Sequence, residues 1–217
     1  MINLNKQIIL FGITGFLSSL LSFTPGEGLS LTAEEMTQVQ RGEIILRDLS
    51  TEDSPGQTFE AIGLINTPRV EVVQVLIDYE KYPEFMPNVT HVEIVEQTGD
   101  EAVLNYILKL PMGIVKKYRI QIALMERDSL TSIIEWQYRD WPGLKQKETI
   151  RDTKGFWQIE EVSPETCLVW YQVYSDPGPV PFGFGWIVNF LTQTSFPDAF
   201  QQTKLRAEAF DSIIDPN

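Results

Sequence analysis

Only one cysteine and one histidine occur among the 217 residues, Cys167 and His91. A single thiol excludes an internal disulfide. A single imidazole excludes a metal site built on several histidines, and a Cys–His pair would need these two residues to meet across the fold. The spacing favours plainer roles, Cys167 as a small core residue in an alternating strand and His91 at the start of another. Basic residues are also scarce: 17 Lys and Arg face 30 Asp and Glu, for a net charge of −13. That balance argues against nucleic acid and against an anionic bilayer, since the one short basic cluster is Lys116, Lys117 and Arg119. Gly183 and Gly185 follow a proline-rich loop without nucleotide-motif spacing or a basic partner. Glu148 with Asp152, and Glu160 with Glu161, are sent by strand alternation to opposite faces or to solvent. Internal repeats and low-complexity tracts are absent. No cofactor, no metal site and no catalytic residue are therefore expected.

What is present suits one globular domain behind a targeting segment, with 43% hydrophobic and 22% charged residues. After Lys6 the run 8–23 carries no charge. As a helix it would reach roughly 24 Å, short of a bilayer core of about 30 Å. Residues 1–23 therefore read as a secretory signal, with Ser22 before the cut although Leu20 is not the small residue preferred two positions earlier, or as an uncleaved N-terminal anchor. Either way the protein is expected to be exported or membrane-anchored. Residues 24–40 form a linker and a short acidic helix, where Thr32 and Glu35 have the form of a capping box. Its expected role is spacing.

The sheet begins after Arg41. Segments 42–49 and 57–66 alternate around the turn Ser54-Pro55-Gly56 and predict a hairpin. Thr67 as N-cap and Pro68 then start a helix with Val70, Val73, Leu76 and Ile77 on its apolar face. Pro83 and Pro87 confine the next segment to about one helical turn that presents Tyr82, Phe85 and Met86 together. Six further strands, 90–97, 101–110, 116–127, 131–139, 155–162 and 166–175, are joined by short turns and predict an antiparallel meander. Residues 139–144 end one strand in a turn, and 145–154 read as a charged hairpin arm, a solvated edge or a lid tipped by Trp141 and Leu144.

Residues 176–210 organise the rest. Three prolines and three glycines shape a loop over 176–186, after which apolar residues recur at helical spacing, with Pro197 kinking or restarting the helix. The architecture expected is α+β, a curved antiparallel sheet wrapped around a long C-terminal helix in the order β-β-α-α-β6-α. Strand parity points Leu104, Tyr106, Leu108, Leu110, Tyr118, Ile120, Ile122, Leu124, Ile134, Trp136, Tyr138, Trp157, Ile159, Tyr171 and Val173 inward. Tyrosine and tryptophan carry polar groups that need partners when buried, so this concave face predicts a cavity, the alternative being an aromatic core.

The stretch N-T-P-R-V-E-V-V-Q-V-L-I-D-Y-E-K-Y-P-E-F-M-P-N-V at 66–89, the six strands, and a long helix after S-D-P-G-P-V-P resemble the START-like (SRPBCC) helix-grip superfamily. Within it the similarity is to polyketide cyclase/dehydrase and coenzyme Q-binding proteins. The resemblance covers roughly residues 43–210, and a domain is drawn at 41–212. It implies a deep apolar cavity holding a lipid, isoprenoid or quinone-like molecule. The candidate ligand-binding residues are Phe85, Met86, Tyr106, Leu108, Tyr118, Ile120, Trp136, Tyr138, Trp157 and Tyr171, with Phe182, Phe184, Trp186, Phe190 and Leu191 from the loop and helix. Three functions stay open: binding or transfer of a hydrophobic small molecule, a cyclase- or hydrolase-type enzyme with tyrosines as proton donors, and a protein-interaction module whose aromatics are only core. The partner expected is a lipid or other hydrophobic molecule, with membrane contact through the N-terminal segment, no nucleic acid, and a monomeric chain.

Overall fold

The computed structural model describes residues 29–178 and 194–210. The N-terminal segment 1–23, expected to be a signal or an anchor, and the candidates Phe182, Phe184, Trp186, Phe190 and Leu191 lie outside the described residues. Eight strands, β1 (Ile45–Asp48), β2 (Gln57–Ile65), β3 (Val89–Thr98), β4 (Glu101–Lys109), β5 (Val115–Asp128), β6 (Thr131–Arg139), β7 (Asp152–Ser163) and β8 (Thr166–Asp176), form one sheet. Its order is β1-β2-β8-β7-β6-β5-β4-β3, antiparallel throughout. The meander from β3 to β8 follows from short turns. The pairing of β2 with β8, from Gln57↔Ser175 to Ile65↔Cys167, joins the first hairpin to the last strand.

The chain leaves β2 through α2 (Arg69–Ile77), a 3-10 turn, and the short α3 (Tyr82–Phe85), which carry it from the second strand of the order to the far edge at β3. Helix α2 differs from its expected form. Pro68 is the N-cap, while Thr67 donates from its hydroxyl to Glu71 Oε2 at 2.6 Å. Its buried side is Val72, Val73, Val75 and Leu76, and Val70 is exposed. The broad buried side reflects packing against both the sheet and the C-terminal helix α4 (Phe196–Glu208). Helix α4 starts at Phe196 with Pro197 in its first turn, where a missing N–H costs nothing. Thr194 and Ser195 lead into it as a π-helical turn, with Ser195 itself in the αR region (φ −68°, ψ −34°), so helical backbone runs into Phe196.

Strand parity holds. The core on the concave face contains Leu104, Tyr106, Ile120, Ile122, Ile134, Trp157, Ile159, Cys167 and Val169, closed by Phe196, Phe200 and Ala207 of α4. Cys167 is fully buried, its thiol donates to the Thr67 carbonyl at 3.5 Å, and burial pushes its pKa up to about 12, so it is an inert core residue. Gly63 of β2 lets α4 come close: a Cβ there would stand 3.0 Å from Phe200 Cε1.

Helix α1 (Ala33–Gln40) has the predicted capping box, with Thr32 Oγ1 accepting from the Glu35 N–H at 3.2 Å and Glu35 Oε2 accepting from the Thr32 N–H at 2.8 Å. It does more than space. Val39 is fully buried with Ile62, Ile133, Phe156, Leu168 and Trp170, a second core on the convex face of the sheet. Arg47 of β1 fastens the helix there, donating to Glu35 Oε1 at 2.9 Å and Oε2 at 2.8 Å and to Glu60 Oε1 at 2.9 Å.

Candidate functional site

A cavity of about 400 Å³ lies between the concave face and the start of α4. Its wall follows from strand register. Tyr106 pairs with Tyr118, Ile122 with Trp136, Ile134 with Trp157, and Trp157 with Tyr171, so these inward side chains stand side by side across four neighbouring strand pairs. The Tyr106 and Tyr118 rings stack with centroids 5.2 Å apart and 8° between planes; Trp157 and Tyr171 stack at 3.9 Å and 10°. Phe196 of α4 lies 5.1 Å from the Tyr171 ring and seats the helix on this aromatic row. Gly155 is needed at one place in the row. A Cβ there would meet the Gln172 carbonyl oxygen and lie 2.5 Å from Trp136 Cζ2, so only glycine lets the indole lie across β7.

The remaining walls come from the strand ends. Met86, Pro87, Asn88 and Val89 enter from the α3–β3 junction, Leu110 and Ile114 from the β4–β5 turn, Lys147 and Ile150 from the β6–β7 connection, and Pro177, Ser195 and Phe196 from the end of β8 and the start of α4. All lie at one end of the sheet, which is the mouth. Asn88 is in the left-handed region (φ 62°), a conformation asparagine tolerates better than most residues, and its Nδ2 donates to Ser195 Oγ at 2.7 Å. The opposite end is closed by α2, where Arg69 pairs with Glu126 at 2.6 Å and hydrogen-bonds Ser132.

The phenols set the polarity inside. Tyr82 is satisfied, donating to the Leu76 carbonyl at 2.6 Å. Tyr106, Tyr118 and Tyr171 have no hydrogen-bond partner among the described residues, yet burial holds all three hydroxyls well above the usual tyrosine range. They stay neutral and can donate to, or accept from, a guest. Among the described residues that line the cavity the ionisable groups are these phenols, Lys116 and Lys147; neither a carboxylate nor an imidazole is there.

Of the residues expected from sequence, Met86, Tyr106, Leu108, Tyr118, Ile120, Trp136, Trp157 and Tyr171 come together in this wall. Phe85 and Tyr138 do not. The Phe85 ring packs edge-on against Tyr82 at 5.5 Å and lies under the Arg206 guanidinium at 5.0 Å, outside the cavity. Tyr138 pairs with Ile120 and stands one residue beyond the last β6–β7 pair, Gln137↔Lys154, but does not line the cavity. The expected hairpin arm at 145–154 is instead an irregular connection that leads into β7 at Asp152. Trp141 does not tip a lid, since its ring lies 5.6 Å from Arg119, an outward-facing residue of β5. The residues this connection turns toward the cavity are Lys147 and Ile150. Lys116 was also missed. It has the inward parity of Tyr118 and Ile120, and that parity was the available signal.

A family model described as polyketide cyclase/dehydrase and lipid transport matches residues 65–195. A comparison with curated protein sequences gave no match. Among solved structures, the fold is similar to a STAR-related lipid transfer protein from Xanthomonas axonopodis, at 18% identity over 76% of this chain and 93% of that one, with a TM-score of 0.65. Human StAR-related lipid transfer protein 5 shares 15% identity over 82% of this chain and 94% of its own, with a TM-score of 0.66. The Zhui aromatase/cyclase from a Streptomyces species shares 13% over 76% and 95%, with a TM-score of 0.57. The eight-stranded antiparallel sheet gripping α4, the cavity between them, and the match over more than half of the sequence lead to one assignment: the chain belongs to the polyketide cyclase/dehydrase and lipid transport family and has the START-like helix-grip fold.

Proposed function

We propose that this protein binds a hydrophobic small molecule in the cavity and carries it, without changing it chemically. The observation that supports this most is the wall itself: about 400 Å³ enclosed by aromatic and aliphatic side chains, with no carboxylate or imidazole among the described lining residues to act as a general base. The volume lies toward the small end of the roughly 300–1,000 Å³ typical of ligand pockets, which suits one acyl chain, one isoprenoid or one fused ring system. Lipid-transfer proteins among the structural neighbours add support at the level of fold. Native mass spectrometry of the full chain purified from membrane-containing cells should show a bound species of lipid-like mass that organic extraction removes. A preparation that is always ligand-free, and that takes up no fatty acid, sterol or quinone when these are added, would defeat the proposal.

A second reading has one observation in its favour. Three neutral phenols without hydrogen-bond partners among the described residues border the cavity and could donate protons to a carbonyl, as a cyclase would require. Mass spectrometry separates the readings, because a carried ligand leaves with the mass it arrived with.

The aromatic wall can be tested directly. Trp136→Ala should weaken binding of a fluorescent apolar probe by about tenfold, the equivalent of about 1.4 kcal/mol. It should cost less stability than the about 3–5 kcal/mol of a fully buried tryptophan, because this ring is only partly buried and borders the cavity. A full core-sized loss of stability with unchanged probe affinity would make Trp136 a core residue and not a wall.

A further inference from the structure

Two lysines stand at the mouth of this apolar cavity, in a chain whose net charge is −13. Lys116 is held in place by the backbone of the β6–β7 connection: Nζ donates to the Thr149 carbonyl at 2.9 Å and to the Lys147 carbonyl at 3.1 Å. An ammonium has three hydrogens, so one remains to be directed elsewhere. Its charge is not neutralised, since among the described residues no carboxylate forms an ion pair with Lys116 or Lys147. Two acids at this end are engaged elsewhere. Asp176 pairs with Arg151 at 3.2 Å and accepts from the Gly178 N–H at 2.8 Å, and Glu148 accepts from the Lys145 N–H at 3.1 Å.

Position matters as much as charge. Lys116 occupies an inward position of β5, two residues before Tyr118 and four before Ile120, so the wall passes from ammonium to phenol to hydrocarbon in steps of about 7 Å. A side chain at an inward strand position next to an aromatic row is normally apolar. An unneutralised ammonium there, partly removed from water, is disfavoured unless something shares its charge. Desolvation lowers the Lys116 pKa accordingly. Lys147 follows from the connection above it, exposed and with no side-chain partner among the described residues. A guest with a hydrocarbon body and a single anionic end would fit this gradient and neutralise the mouth.

We propose that Lys116 and Lys147 form a receptor for an anionic headgroup at the cavity mouth, and that the ligand is a single-chain amphiphile ending in a carboxylate or a phosphate monoester. The proposal rests on the hydrophobic-ligand reading above and specifies its ligand class. Charge-assisted hydrogen bonds to an oxyanion hold the head at the mouth, and the chain passes the phenols toward Ile120 and Ile122.

The test uses the full chain and four probes of one chain length, decanoate, decyl phosphate, decanol and decyltrimethylammonium, titrated against the intrinsic fluorescence of the wall tryptophans. At least one of the two anions should bind about tenfold or more tighter than decanol, the size expected for one charge-assisted contact. Whichever anion binds tighter identifies the headgroup. In Lys116→Met/Lys147→Met the preferred anion should bind no better than decanol. Should loss of the Lys116 hydrogen bonds prevent folding, Lys147→Met alone, at an exposed side chain, should reduce the anion preference severalfold. Anions no tighter than decanol, or the ammonium probe tightest of all, would overturn the proposal and leave the cavity reading standing. No binding of any probe would remove both.

Discussion

Above about pH 10 the folded protein should lose stability steeply, because Tyr82 and Tyr106 are buried and burial first, then the neighbouring tyrosines, hold their pKa values well above 10.0. In the unfolded chain the same phenols release protons near pH 10, so in the alkaline range the folded state binds more protons than the unfolded state. Stability then falls as pH rises. Below the unfolded value both states are protonated and the contribution is fully present; above it each group removes about 1.4 kcal/mol per pH unit until the folded form ionises too. The pair should therefore cost about 3 kcal/mol per unit, a large share of the about 5–15 kcal/mol that holds a domain together. Urea midpoints measured across this range should move down together, with tyrosinate absorbance from these phenols appearing only as the fold is lost. Tyr106→Phe should flatten the slope. Ionisation of these phenols in a chain that keeps its near-ultraviolet dichroism would show that water reaches the row freely.

Phe200→Ala should be the most damaging single truncation in α4. The ring is fully buried, its centroid lies 6.0 Å from that of Trp157, and it rests on the bare backbone of Gly63. Nothing can close the gap cheaply, since Gly63 has no side chain and Trp157 is fixed by its stack on Tyr171. A loss of about 3–5 kcal/mol is expected from the transferred area and the remaining void. The effect should extend beyond stability, because Phe200 supports the back of a wall tryptophan, and apolar-probe affinity should fall with it. A urea midpoint within error of the wild type would mean that α4 is held to the sheet by other contacts.

The sequence and the structure agree where the signal is local and periodic. Inward parity on β4 to β8, the Thr32–Glu35 capping box and the helix carrying Phe196, Phe200, Thr203 and Ala207 could all be read because each depends on residues a few positions apart. The β2–β8 pairing could not be read this way, since it joins residues more than a hundred positions apart and is selected by sheet closure rather than by any short pattern. Thr67 looked like an N-cap, but its hydroxyl found Glu71 once Pro68 took the cap position. At the site, Lys116 escaped notice because charge grouped it with Lys117 and Arg119, while parity separates them. The 140–151 connection escaped because its alternating charges resembled an exposed strand. Its carbonyls instead hold the Lys116 ammonium, a long-range contact that leaves no trace in the local sequence.

The placement of the mouth divides the molecule along its strands. The turns that belong to the cavity are those at the β4–β5 and β6–β7 ends, where the lining residues Leu110, Ile114, Lys147 and Ile150 sit. The turns at the other ends, Gly99 with Asp100 between β3 and β4, and Pro164 with Glu165 between β7 and β8, are exposed and contribute nothing to the wall. Sequence drift, an inserted loop or a grafted reporter can accumulate at that pole without altering what the protein holds, because a turn tip with small and polar residues tolerates change when its backbone is not buried. At the mouth pole even a one-residue shift would turn Lys116 outward and Lys117 into the cavity. Constraint from the cavity and freedom to diversify thus occupy opposite poles of one sheet.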